Sequence, residues 1–88
     1  MKYNYALFEL INRYCSWANF DWCCLVHDPV RERMFAYDFD KNKSITINCV
    51  IKRIISNGKL NECFDLDELT RFMVLAPKKF KKDILTFV

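Results

Sequence analysis

Residues 22–47, WCCLVHDPVRERMFAYDFDKNKSITI, decide the fold. Trp22 to Val26 is an unbroken apolar run, Met34 to Phe39 alternates large aromatic with smaller side chains, and Ser44 to Ile47 alternates polar with β-branched. Successive side chains on a pleated backbone point to opposite faces, so these runs read as strands. Asp28-Pro29 and Asp40-Lys41-Asn42-Lys43 supply turn chemistry between them, through carboxylate and amide oxygens and the fixed φ of proline. The stretch is expected to form a two- to three-stranded antiparallel meander. In the first strand Trp22, Cys24 and Val26 would share one face and Cys23, Leu25 and His27 the other. A strand apolar on both faces fits a sheet covered on both sides, or one whose second face awaits a partner. In the second strand Phe35, Tyr37 and Phe39 would share a face against Met34, Ala36 and Asp38. Leu25, Phe35 and Tyr37 are expected in the core. In the third, Ile45 and Ile47 would point inward and Ser44, Thr46 and Asn48 outward.

Helical periodicity flanks the meander on both sides. From Tyr3 the apolar positions run Tyr3, Ala6, Leu7, Leu10, Ile11, Tyr14, Cys15 and Ala18, the stripe of an amphipathic helix with Glu9, Asn12, Arg13 and Ser16 opposite. Asn4 is its expected N-cap, Trp17 sits near the edge of the stripe, and Asn19 with Asp21 turns the chain. After the meander Asn48 is expected to cap a second helix, with Val50, Ile51, Ile54 and Ile55 inward, Lys52 and Arg53 outward, and Asn57-Gly58 as its stop. A short connection through Leu60 leads to Asp65, whose spacing from Glu68 fits a capping box. Leu66, Leu69, Phe72 and Met73 would form the buried face that follows. Ala76-Pro77 breaks that helix, Pro77 opens a short last one, and Phe80, Ile84 and Phe87 or Val88 dock the tail. The expected fold is α+β, one domain over 1–88: a helix, the meander, then two or three helices.

Composition fits a packed globule. Hydrophobic residues make up 52% and aromatic residues 16% of the 88 residues, while one glycine and two prolines leave little linker material. A chain of this size buries roughly 60–65% of its unfolded surface, so large aromatic side chains are needed to fill a small core. Asn4, Glu9, Asn12 and Arg13 interrupt any apolar leader, and no run reaches the roughly 18 apolar residues of a membrane span. The expected location is cytoplasmic. Cys15, Cys23, Cys24, Cys49 and Cys63 show neither C-x-x-C nor zinc-ligand spacing, and their odd number without a leader points to reduced thiols packed as small hydrophobes.

Motifs for chemistry are sparse. Asp38, Asp40, Asn42 and Ser44 occupy the first four ligand positions of an EF-hand-type loop, but Lys43 stands where the sharp turn needs glycine and Cys49 where a bidentate Glu is required. Turn chemistry explains the same residues, so no metal is expected there. His27 is the single histidine, and a hydrolytic pair with Cys23 or Cys24 would need a third group to orient it. One glycine cannot build a phosphate loop. No cofactor, metal or catalytic set is expected.

Charge is more informative. The net charge is +3, and residues 78–83 carry all of it: residues 1–77 hold ten basic and ten acidic groups. Lys78, Lys79, Lys81 and Lys82 would attract a polyanion by counterion release, or serve as a solvated face. Acidic Asp65, Asp67 and Glu68 at a helix start oppose a helix-turn-helix reading. The mixed-charge tip Asp28–Arg33 lies beside aromatic residues, and Trp17, Arg31 and Arg33 are the expected anchors for a protein partner. The expected function is therefore a small non-enzymatic macromolecule-binding protein. Richness in Ile, Lys, Asn and Phe associates it with AT-rich genomes, and so with a bacteriophage-encoded inhibitor of a host defence or nuclease complex. The alternative is a basic nucleic-acid-binding module built on the lysine cluster.

Overall fold

Asn4 starts the first helix: its Oδ1 accepts from the Leu7 backbone N–H at 3.1 Å. Residues 4–88 are described by the computed structural model, and Tyr3, the first position of the expected stripe, lies outside them. Helix α1 (Tyr5–Trp17) is followed by strands β1 (Cys23–Asp28), β2 (Arg33–Asp38) and β3 (Lys43–Thr46). Helices α2 (Ile47–Asn57), α3 (Leu60–Cys63) and α4 (Leu66–Leu75) come next, then a 3-10 turn (Lys78–Phe80) and α5 (Lys81–Leu85). The sheet is an antiparallel meander in the order β1-β2-β3. This is the expected α+β layout.

Register sets the two faces. Leu25 pairs with Ala36 and Ala36 with Ile45, while Val26 pairs with Phe35 and Phe35 with Thr46. The inner face thus carries Cys23, Leu25, His27, Met34, Ala36, Asp38 and Ile45, and the outer face Cys24, Val26, Phe35, Tyr37, Ser44 and Thr46. Helix α2 packs on the inner face through β2 and β3, where Ala36 is fully buried in one core cluster with Val50, Ile51 and Ile54. Phe35 and Tyr37 are not in the core, and Leu25 packs against it only half-buried. The reason is steric. A helix approaches a sheet over a small side chain, so β2 turns Ala36 inward and its aromatic residues away.

The rest of the core is helical. Leu7, Phe8, Leu10, Ile11, Tyr14 and Cys15 of α1 join Leu60, Phe64, Leu69, Phe72, Ala76, Phe80 and Ile84. Tyr14 ties α1 to the end of α2: its hydroxyl donates to the Gly58 carbonyl and accepts from Asn57 Nδ2 at 2.7 Å. Burial raises the Tyr14 pKa. Gly58 ends α2 at φ 81 and ψ −166, a backbone region open essentially to glycine alone.

Several boundaries move from their expected places. Thr46, not Asn48, caps α2, its hydroxyl accepting from the Cys49 N–H at 3.3 Å. Ile47 is accordingly the first helical residue rather than the last of β3. The connection through Leu60 is a helical turn, and Leu60 is wholly buried. The Asp65–Glu68 capping box is present as expected. Leu66 is exposed rather than buried, since it starts the row Leu66, Thr70, Val74 on the solvent side of α4. Pro77 precedes the 3-10 turn at φ −56, and Phe80, Ile84 and half-buried Phe87 dock the tail while Val88 is exposed.

Candidate functional site

The outer sheet face carries a row of aromatic and apolar side chains outside the core. Val26, Phe35 and Tyr37 are half-buried, Cys24 is exposed, and Phe39 beyond β2 is 54% exposed. Tyr37 and Phe39 meet edge to face with centroids 5.7 Å apart, and the Tyr37 hydroxyl donates to Asn42 Oδ1 in the β2–β3 turn. The Arg33 guanidinium lies 5.0 Å from the centre of the Phe35 ring. Phe35 and Tyr37 are therefore each held by a polar neighbour, and Phe39 by the Tyr37 ring, before any partner arrives, which lowers the entropy cost of binding.

The β1–β2 turn closes one end of this face. Asp28 organises it, accepting from the Arg31 N–H at 3.2 Å and from Arg33 Nε at 3.3 Å, with Arg31 Nη1 3.7 Å away. The Arg31 backbone N–H, then the two arginine side chains, hold the Asp28 carboxyl below its ordinary range. Val30 at the apex is 90% exposed. Arg31 and Arg33 thus stand together beside the aromatic face.

Trp17 does not join them. It is 43% exposed at the far end of α1, against Tyr14. The start of α1 meets the end of β1, with Tyr5 and Phe8 rings 4.7 and 5.5 Å from His27. Helix and strand therefore run in opposite directions, and the thirteen residues of α1 separate Trp17 from the Arg31–Arg33 end by about 18 Å.

The lysine cluster splits in two. Lys78 and Lys79 lie in the 3-10 turn and Lys81 and Lys82 in α5, all four exposed. Lys79 reaches the Phe80 ring at 5.2 Å and lines a hollow with Cys49 and Lys52 of α2. Sequence periodicity marks the solvent side of α2, but nothing in it brings Lys79 there.

The remaining candidates have structural roles. His27 is packed on the inner face by the Tyr5 and Phe8 rings; Cys24 lies on the opposite face, and Cys23 is four residues along the strand, about 13 Å away. Asp38 is buried, its Oδ1 accepting from the Lys41 N–H at 3.0 Å to close the β2–β3 turn. Among the described residues no group of three His, Cys, Asp or Glu side chains is placed to share a metal ion. None of their helices is long and apolar enough to cross a membrane.

The described residues define a small α+β fold whose three-stranded antiparallel sheet carries α2 on one face and exposed or half-buried side chains on the other. Comparison of the chain with protein-family models, with curated proteins and with solved structures finds no match.

Proposed function

We propose that this chain is a small non-enzymatic protein that binds a folded protein partner through the outer sheet face and the adjoining Arg31–Arg33 turn. The observation that carries this reading is the outward row Phe35, Tyr37 and Phe39. Contiguous exposed aromatic and apolar groups are unfavourable in water, and an aromatic–arginine combination is typical of the few residues that dominate protein interfaces. The partner's contact would be an apolar patch with an acidic group near the arginines. Such a protein acts by occupying a surface that a larger assembly needs. The composition associated with AT-rich genomes supports the setting of a phage-encoded inhibitor of a host defence or nuclease complex, acting in the cytoplasm.

The test is capture from an extract of the cells that make the chain, with and without nuclease. Three baits are compared: the native protein, Phe35→Thr with Tyr37→Thr, and Lys78, Lys79, Lys81 and Lys82 all changed to Gln. The expected result is a protein partner held by the native and lysine-substituted baits, indifferent to nuclease and lost with the sheet-face variant. Capture that survives the sheet-face changes, or that disappears with nuclease, overturns the proposal.

A further inference from the structure

A second surface lies on the other side of the molecule from the open sheet face. The solvent side of α2 presents Cys49, Lys52, Arg53 and Ser56, spaced three and four residues apart. Two adjoining hollows run along it. One, of about 450 Å³, is lined by Thr46, Cys49, Lys52, Lys79 and Asp83. The next, of about 330 Å³, is lined by Trp22, Lys41, Ile45, Cys49, Lys52 and Arg53. We propose that this groove binds single-stranded nucleic acid.

Three observations carry the inference. Four cations line the groove, Lys41, Lys52, Arg53 and Lys79, against two acids, Asp38 and Asp83. Asp38 is turned inward to the Lys41 backbone. The ion pairs among the described residues lie elsewhere, between Arg13 and Glu68 and around Asp28. Cations that outnumber the acids along a groove and sit in none of those ion pairs are what a phosphodiester chain neutralises.

Second, the Arg53 guanidinium lies 3.9 Å from the centre of the Trp22 ring. Trp22 packs on Phe20 at 5.8 Å and its buried Nε1–H has no acceptor among the described residues. The guanidinium is thus seated over the face of a ring that is itself packed on Phe20, with Arg53 exposed to the groove. A planar arginine anchored in this way is a platform on which an unpaired base can stack.

Third, the shape disfavours duplex. The cations line two hollows that share Cys49 and Lys52, one bordered by Lys41 of the β2–β3 turn and the other by Lys79, Phe80 and Asp83 of the 3-10 turn and α5. A helix so flanked cannot enter a major groove about 12 Å wide. A single strand can lie along it, with Lys79 joining the tail to the site.

The test is fluorescence anisotropy with a labelled oligothymidylate of about 12 nucleotides across a salt series from about 50 to 200 mM. A Trp17→Phe background makes Trp22 the remaining tryptophan, so binding should also change its emission. Changing Lys52 and Arg53 to Gln should weaken binding about tenfold or more and reduce the salt slope by about 1.4. Arg53→Lys keeps the charge and removes the plane, so it should keep the slope and lose the change in Trp22 emission. Lys81→Gln with Lys82→Gln, outside the groove, should alter binding by less than about twofold. Thermal melts establish that each variant folds, and Lys52→Gln alone provides a second, milder variant. The proposal is overturned by absence of binding at the lowest salt, or by equal or tighter binding of duplex. Competition by oligoglutamate of equal charge as effective as the unlabelled strand would assign the groove to acidic protein instead. Loss that follows Lys81 and Lys82 rather than Lys52 and Arg53 overturns it too.

Discussion

Cys15 sits in the core beside Cys23, and burial pushes its thiol up from 9.0 to about 12. Cys23 and Cys63 are raised by the same desolvation, whereas Cys24 and Cys49 are exposed. A thiol reagent at neutral pH should therefore modify Cys24 and Cys49 quickly in the folded protein and Cys15 and Cys23 only on unfolding, as mass spectrometry of the labelled chain would show. Equal labelling of all five would contradict the burial pattern. The same shift has a pH consequence. An acid whose folded pKa is raised stabilises the fold below its unfolded value and loses that contribution as pH rises towards the folded one. The melting temperature should begin to fall above pH 9, over the window from 9.0 to about 12. Cys15→Ala should flatten that decline.

At the scale of elements, helix contacts carry the stability. Ile54 is fully buried where α2 meets the sheet, and Ile54→Ala should cost about 2–5 kcal/mol in denaturant unfolding. Asp65→Ala removes the capping box of α4 and should cost about 1 kcal/mol. Helices α1 and α4 are linked by Arg13, whose guanidinium donates to both Glu68 oxygens, one at 2.8 Å, and lies 5.5 Å from the Phe64 ring. Arg13, then the Asp65 N–H, hold the Glu68 carboxyl below its ordinary range. A depressed carboxyl stabilises the fold above its unfolded pKa, near 4.5, and loses that contribution as pH falls through the folded one. Glu68→Gln should accordingly weaken the acid dependence of the melt below that pH, while the exposed pair keeps the effect small.

For the whole molecule, the two sheet faces have different duties. Phe35→Thr with Tyr37→Thr keeps β-branched side chains on β2 and leaves Ala36 under α2. Its unfolding free energy should drop by no more than about 1 kcal/mol, well short of Ile54→Ala. A loss as large as that of the core variant would show that the outer aromatics hold the fold together. Acidic Glu62, Asp65 and Asp67 gather on α3 and the start of α4, none of them among the residues that line the groove. Cations and acids are therefore segregated into separate clusters, and a polyanion is drawn to the cationic one.

Local chemistry in the chain was enough to determine the main helices and the caps of α1 and α4, though not the Thr46 cap of α2 or the turn α3. The stripe from Leu7 to Cys15, the Asn4 cap, the Asp65–Glu68 box, the stop at Gly58 and the break at Pro77 depend on neighbours within four residues. The strands and their alternation were legible for the same reason, as was the adjacency of Arg31 and Arg33. Which face of β2 turns inward was not, because period two divides its residues without ranking them, and hydrophobicity alone favours Phe35 and Tyr37. The tertiary structure decided it through α2, which can approach the sheet only over Ala36. The same long-range packing sent Trp17 away from the arginine turn and carried Lys79 to Lys52 across 27 positions of sequence. Contacts at such separations leave no periodic trace, since they depend on how finished elements fit together.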